Sequence, residues 1–145
     1  MPDLRLLRQG KTFPILASQT TTSSNTGTTA VQLPSVPNGL YFLLDVTAQD
    51  DDVDDTLNIQ VQTSLGGVWI DVIAFEEVLG NGTARKYLSD LLRTNTTFTQ
   101  SNPGSTLSAG GRRHIFGDEY RVRWQIVDPT GSDASFTFSI IASIQ

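Results

Sequence analysis

The one histidine of the chain, His114, sits beside Arg112 and Arg113, and an imidazole in that role needs a nucleophile and an orienting carboxylate around it. Serines are plentiful, but none stands in a Gly-x-Ser-x-Gly turn, so His114 reads as a structural or surface residue. With no cysteine, thiol nucleophiles, disulfides and thiolate zinc sites are excluded. Glu76 and Glu77 are adjacent. Neighbours on a strand face opposite ways, so this pair does not converge on one glycosidic bond. Gly80-Asn81-Gly82 and Gly110-Gly111 lack the helix and lysine of a phosphate loop and read as turns. No catalytic residue is expected, and the chain is not expected to be an enzyme.

The densest feature is the acidic run Asp50, Asp51, Asp52, Asp54 and Asp55. Clustered carboxylates can ligate Ca²⁺, a hard cation that takes six to eight oxygens. EF-hand spacing fails, however, because Asp55 stands where glycine is required and Val61 where the last glutamate belongs. Solvated carboxylates in a hairpin loop are the simpler account, and repulsion relieved by a neighbouring subunit's cations is another. No metal ion or cofactor is expected. Arg121 and Arg123 flank Trp124's strand as in some nucleic-acid-binding sheets, but the two arginines share one face and Trp124 takes the other. Ten basic against 15 acidic residues leave a net charge of −5, which argues against nucleic acid or an anionic membrane as partner. The pair therefore reads as salt-bridged or interface-facing, and Arg112, Arg113, Arg121 and Arg123 are candidate interface residues.

These side chains need a scaffold, and 145 residues suit one domain with one core. Two regions differ in texture. Residues 1–29 place Leu4, Leu6, Leu7, Phe13, Ile15 and Leu16 among charges, then run through a Thr/Ser/Asn/Gly tract that alone cannot offset its ordering entropy. This is an extended N-terminal arm. Its six apolar residues either pack on the domain's own core as an edge strand or dock onto a neighbouring subunit. No continuous apolar stretch forms a signal-peptide core or a bilayer span, so synthesis in a cytosol is expected.

Residues 30–145 alternate with the period of strands. Leu40, Phe42, Leu44 and Val46 form one apolar stripe, and Leu57, Ile59 and Val61 another with its opposite face in water. Gly66-Gly67 closes a hairpin into Val68–Phe75, which carries Trp69, Ile73 and Phe75 on one face and further apolar residues on the other. Tyr120–Ile126 and Phe136–Ile144 read as a terminal hairpin about the Asp128-Pro129-Thr130-Gly131 turn. Tyr87, Leu88, Leu91 and Leu92 have helical spacing, although a strand is favoured there, and Thr94 to Gly111 reads as a long loop. The fold class is all-β: an antiparallel β-sandwich or jelly-roll-like barrel.

The block Thr63-Ser64-Leu65-Gly66-Gly67-Val68-Trp69-Ile70-Asp71-Val72-Ile73-Ala74-Phe75, with Gly80-Asn81-Gly82-Thr83-Ala84 and Gly117-Asp118-Glu119-Tyr120-Arg121-Val122-Arg123-Trp124, resembles small virion proteins of tailed bacteriophages, especially capsid decoration (cement) proteins. The resemblance spans about Leu40 to Gln145. It implies a homo-oligomer, trimer or dimer with the trimer favoured, seated on the outside of the head and bridging major capsid protein subunits, with no catalytic residues. A tail, neck or head-fibre protein is the alternative within the virion. A carbohydrate-binding sandwich using Tyr41, Tyr87 or Trp69 beside the Asp50 to Asp55 loop is the alternative outside it.

Overall fold

The computed structural model describes residues 12–26, 30–32, 39–50, 52–81, 85–92, 110–111, 117, 119–131 and 133–144, with the backbone alone at 85–92 and 110–111. Among them there are only strands and turns. Antiparallel pairing builds two sheets that pack face to face as a β-sandwich. The first sheet runs β1 (Thr12–Thr21), β11 (Phe136–Ile144), β4 (Gly39–Gln49), β8 (Arg85–Leu92). The second runs β2 (Asn25–Thr26), β10 (Glu119–Val127), β5 (Thr56–Leu65), β6 (Val68–Ala74), β9 (Gly110–Gly111). Short β3 (Val31–Gln32) also pairs with β10, and β7 (Val78–Leu79) with the start of β5.

Alternation explains why these segments are strands and which way each faces. On β4, Leu40, Phe42, Leu44 and Val46 are wholly buried, and on β11 Phe136, Phe138 and Ile140 are too. The opposing sheet supplies Leu57, Ile59 and Val61 from β5 and Tyr120, Val122 and Trp124 from β10. Aromatic pairs tie the layers together. Phe42 meets Tyr120 at 6.0 Å between centroids, and Trp124 meets the ring of Phe138 edge-on at 5.7 Å. The spacing of Tyr87 to Leu92 resolves as strand, because β8 pairs with β4 from Leu92 opposite Gly39 to Arg85 opposite Val46.

β1 shows where the N-terminal apolar residues go. It forms an edge of the first sheet against β11. Pro14 is tolerated there because an edge strand leaves N–H positions unpaired, and two register shifts interrupt the ladder, which discourages pairing with another chain. Ile15 is buried in this chain's own core, with Phe13 and Leu16 packed against that core. The sandwich thus takes in residues from Thr12 onward, across the expected boundary at residue 29, and Ile15 is a core residue rather than a contact for a neighbour. Leu4, Leu6 and Leu7 lie outside the described residues.

Three further expectations change. The segments 120–126 and 136–144 do not form a hairpin, since β10 and β11 belong to different sheets, and the Asp128 turn is an arch between them. The Asp50 to Asp55 loop is likewise an arch, from β4 to β5, and not a hairpin. Two strands with one apolar face each bury both faces against one another when the link crosses the core. The third concerns β6, where a register shift leaves Val72 without a partner between Ile73 opposite Val61 and Asp71 opposite Gln62. A bulge reverses the facing of everything beyond it, so Ile73 enters the core while Trp69 lies on the outer face. The β5–β6 hairpin itself is as read: Leu65 opposes Val68, and Gly66 and Gly67 take φ of +58° and +82°, the two left-handed positions of a type I′ turn.

Trp124 is the residue on which both layers converge. Its indole N–H donates to the Ser23 carbonyl at 3.0 Å and reaches Thr21 Oγ1 at 3.2 Å, so it also fixes the link from β1 to β2. Trp124→Ala is expected to lose about 3–5 kcal/mol of unfolding free energy, read by urea denaturation with fluorescence from Trp69. A loss within about 0.5 kcal/mol, the usual range for surface changes, would contradict the buried placement.

Candidate functional site

Both arches fall at the same end of the sandwich and bring distant carboxylates together. Asp50, at the end of β4, accepts the Ser135 amide at 2.6 Å on Oδ2 and the Asp52 amide at 3.4 Å on Oδ1, while its own amide donates to the Ser135 carbonyl at 2.9 Å. Asp128 holds the second arch, accepting the amides of Gly131 and Ala134. Thr130 Oγ1 reaches Asp52 Oδ2 at 3.4 Å and links the arches. These carboxylates satisfy backbone donors that no ladder serves.

Asp55 is different. It is 0% exposed, and neither carboxylate oxygen has a hydrogen-bond partner among the described residues. The acidic run suggests a solvated loop residue at this position. Its phase is the reason it is not one: Asp55, Leu57, Ile59 and Val61 share one parity, and the inward face of β5 extends to the residue before the strand. Burial pushes its carboxyl up to about 6, and the nearby charges of Asp128, Asp50 and Asp52, together with the close approach of the Asp50 carboxyl to its own, push the same way. Asp128 lies below the usual carboxylate range, held there chiefly by the Gly131 amide. One oxygen each from Asp52, Asp55 and Asp133 lie within 4.8 Å of one another. Asp52 and Asp133 line a surface depression of about 420 Å³ together with Asp50, Val53 and Asn81, with Asp55 buried behind it. Gly80 packs against this group, donating its amide to the Asp55 carbonyl at 2.7 Å. A Cβ at Gly80 would strike Asp50 Oδ1 and the Asp52 carbonyl oxygen.

A second polar assembly covers the outer face of the other sheet. Gln62 Nε2 donates to Asp71 Oδ1 at 2.7 Å, Arg121 Nε donates to Gln62 Oε1 at 2.8 Å, and Arg123 Nη2 meets Asp71 Oδ2 at 3.4 Å. The Arg121 guanidinium stacks 4.1 Å above the Trp69 ring. Burial and the Arg123 charge lower the Arg121 pKa, with Asp71 opposing. Alternation alone puts this face of β5 in water, yet Gln62 and Asp71 are buried, because polar side chains bonded to one another can leave solvent; Gln60 is buried beside them with its Oε1 unpartnered among the described residues. Arg121 and Arg123 are therefore brought together, each in a defined role. Arg112, Arg113, His114 and Asp51 lie outside the described residues, as does most of the loop from Thr94. Glu76 and Glu77 are exposed, and Glu77 accepts from Asn58 at 3.1 Å.

The sequence alone separates Asp133 from Asp55 by most of the domain, and no spacing rule connects them. The fold and these two assemblies define the class, an antiparallel β-sandwich with an aspartate-rich end and an arginine–tryptophan face. No protein family, curated protein or solved structure matches the chain.

Two outcomes are expected here. Gly80→Ala should cost about 1–3 kcal/mol, the range for forcing atoms into filled space, measured by chemical denaturation. The second concerns acid. A carboxyl with a raised folded-state pKa adds stability that is complete below its ordinary value, about 4, and lost as pH rises through about 6. Asp128 acts oppositely, its contribution disappearing only in more acid solution. In chelator, the melting temperature should therefore fall between pH 4.5 and 7, and Asp55→Asn should flatten that slope. An unchanged slope in the variant would remove Asp55 as its source.

Proposed function

We propose that this chain is a virion structural protein, a capsid decoration protein that binds the outside of a phage head and bridges major capsid protein subunits as a homo-oligomer. The observation that carries this reading is the outer face of the β10–β5–β6 sheet. Arg121 is locked over Trp69 by its bond to Gln62, and the adjoining hairpin tip exposes Leu65 at 42% and Val68 at 56%. Arginine and tryptophan dominate binding hot spots, and side chains already held in place lose little entropy on docking. The resemblance of the Thr63–Phe75 and Gly117–Trp124 blocks to cement proteins points the same way, since those blocks supply this face. Such a protein acts by mass action: whatever binds only the assembled shell stabilises it. A tail or neck location uses the same surface chemistry and is the runner-up.

The carbohydrate-binding alternative needs aromatic rings presented to solvent. Among the described residues the exposed large apolar side chains are all aliphatic, and Trp69 carries Arg121 on its face. Neither observation favours it.

Light scattering of the full chain followed by co-sedimentation with emptied phage heads tests the proposal. A trimer or dimer that pellets with heads is the expected result. Val68→Asp and Arg121→Ala should each weaken pelleting at least about tenfold, in line with truncated hot spots. A monomer that ignores heads and is retained on polysaccharide would overturn it.

A further inference from the structure

A carboxylate without solvent and without a donor is costly to keep, and Asp55 is both fully inaccessible and unpartnered on either oxygen among the described residues. Its surroundings make this worse. Asp50, Asp52, Asp128 and Asp133 are gathered from the two arches, and none of Asp52, Asp55 and Asp133 is paired with a lysine, arginine or histidine among the described residues. The third neighbouring segment, at Gly80 and Asn81, brings no charge.

The same atoms have the geometry of a coordination shell. Oxygens bound to one Ca²⁺ at 2.3–2.6 Å are at most about 5.2 Å apart, and the oxygens of Asp52, Asp55 and Asp133 lie within 4.8 Å of each other. Asp50 and Asp128 are occupied with backbone amides and orient the loops, as groups behind a metal's direct ligands commonly do, while Asp52 is itself held in place by the Asp54 amide at 3.0 Å on Oδ1 and the Thr130 hydroxyl at 3.4 Å on Oδ2. We propose that Asp52, Asp55 and Asp133 bind a calcium ion that ties the β4–β5 arch to the β10–β11 arch. The donors are all hard oxygens, which select alkaline-earth ions over the transition metals that prefer nitrogen or sulfur. Of the alkaline earths, calcium accepts an irregular shell completed by water through the open side of the depression, whereas magnesium demands near-ideal octahedral geometry. Asp55 from within and Asp133 from the surface clamp the ion, so the site exists only in the folded chain and binding feeds directly into stability. The calcium site stands whether or not the chain decorates a capsid.

The test is a thermal melt of the full chain at neutral pH in chelator, in 10 mM CaCl₂ and in 10 mM MgCl₂, with a calorimetric calcium titration. A site of the affinity common in extracellular modules, with Kd on the order of 10⁻⁴ to 10⁻³ M, raises the folding equilibrium constant about 10- to 100-fold at that concentration. The melting temperature should rise by roughly 4–10 °C, with saturation at one ion per chain. Asp133→Asn, on the surface, and Asp55→Asn should each abolish the rise, and Asp54→Asn, an exposed neighbour outside the cluster, should keep it. If Asp55→Asn fails to fold, Asp133→Asn decides. No calcium-dependent rise, an equal rise in magnesium, or a rise that survives Asp133→Asn would overturn the proposal.

Discussion

Each sheet has one apolar face, and among the described residues the other sheet's apolar face covers it. That constraint determines the connections. Leu44 and Ile140 from one layer and Ile59 and Val122 from the other are essentially sealed from water, which requires the chain to pass between layers rather than turn back within one. β4 to β5 and β10 to β11 both make that passage, and both do so at the same end. An arch cannot satisfy its backbone through a ladder, so side chains must do so. Short acceptors that bond to nearby amides are what the position selects, and Asp50 and Asp128 fill it. The acidic end is thus a consequence of the sandwich, and carboxylates with structural duties bring the others into range.

Local and collective requirements conflict at that end. Each aspartate individually suits its loop, yet their sum is a concentration of negative charge around a buried Asp55. Proteins retain such conflicts where something resolves them, by a proton at low pH or by a cation at neutral pH. Burial first and the surrounding carboxylates second raise the Asp55 pKa, and two of those carboxylates, Asp50 and Asp52, line the open depression beside it.

Much of the fold could be read directly from residue types. The stripe Leu40, Phe42, Leu44, Val46 and its counterpart from Phe136 predict orientation as well as strand, and Gly66-Gly67 predicts the hairpin because two consecutive left-handed positions have few other occupants. The arches could not be read. An Asp-rich turn between two strands looks the same whether the strands pair or face each other across a core, since the difference lies in contacts far away in the chain. The bulge at Val72 was hidden for a related reason: nothing in Asp71-Val72-Ile73 announces an extra residue, and one such residue moves Trp69 away from Ile73. Asp55 was legible in principle. Extending the parity of Leu57 and Ile59 back by one step places it inward, but an acidic residue in an acidic run invites the solvated reading.

The outer face of the second sheet follows the opposite logic from the acidic end. There the charged groups are bridged: Asp71 sits between Gln62 and Arg123, Gln62 passes the bond to Arg121, and Arg121 lies on Trp69. Side chains bonded in series from Asp71 through Gln62 to Arg121 hold a flat guanidinium–indole surface in one conformation. That is the physical condition for a docking face, because what remains to be desolvated is chiefly apolar and little remains to be ordered. The sandwich therefore has two polar regions with different capacities. In one, Asp71 is shared between Gln62 and Arg123; in the other, carboxylates gather around a buried Asp55 with no cationic side chain paired to it among the described residues.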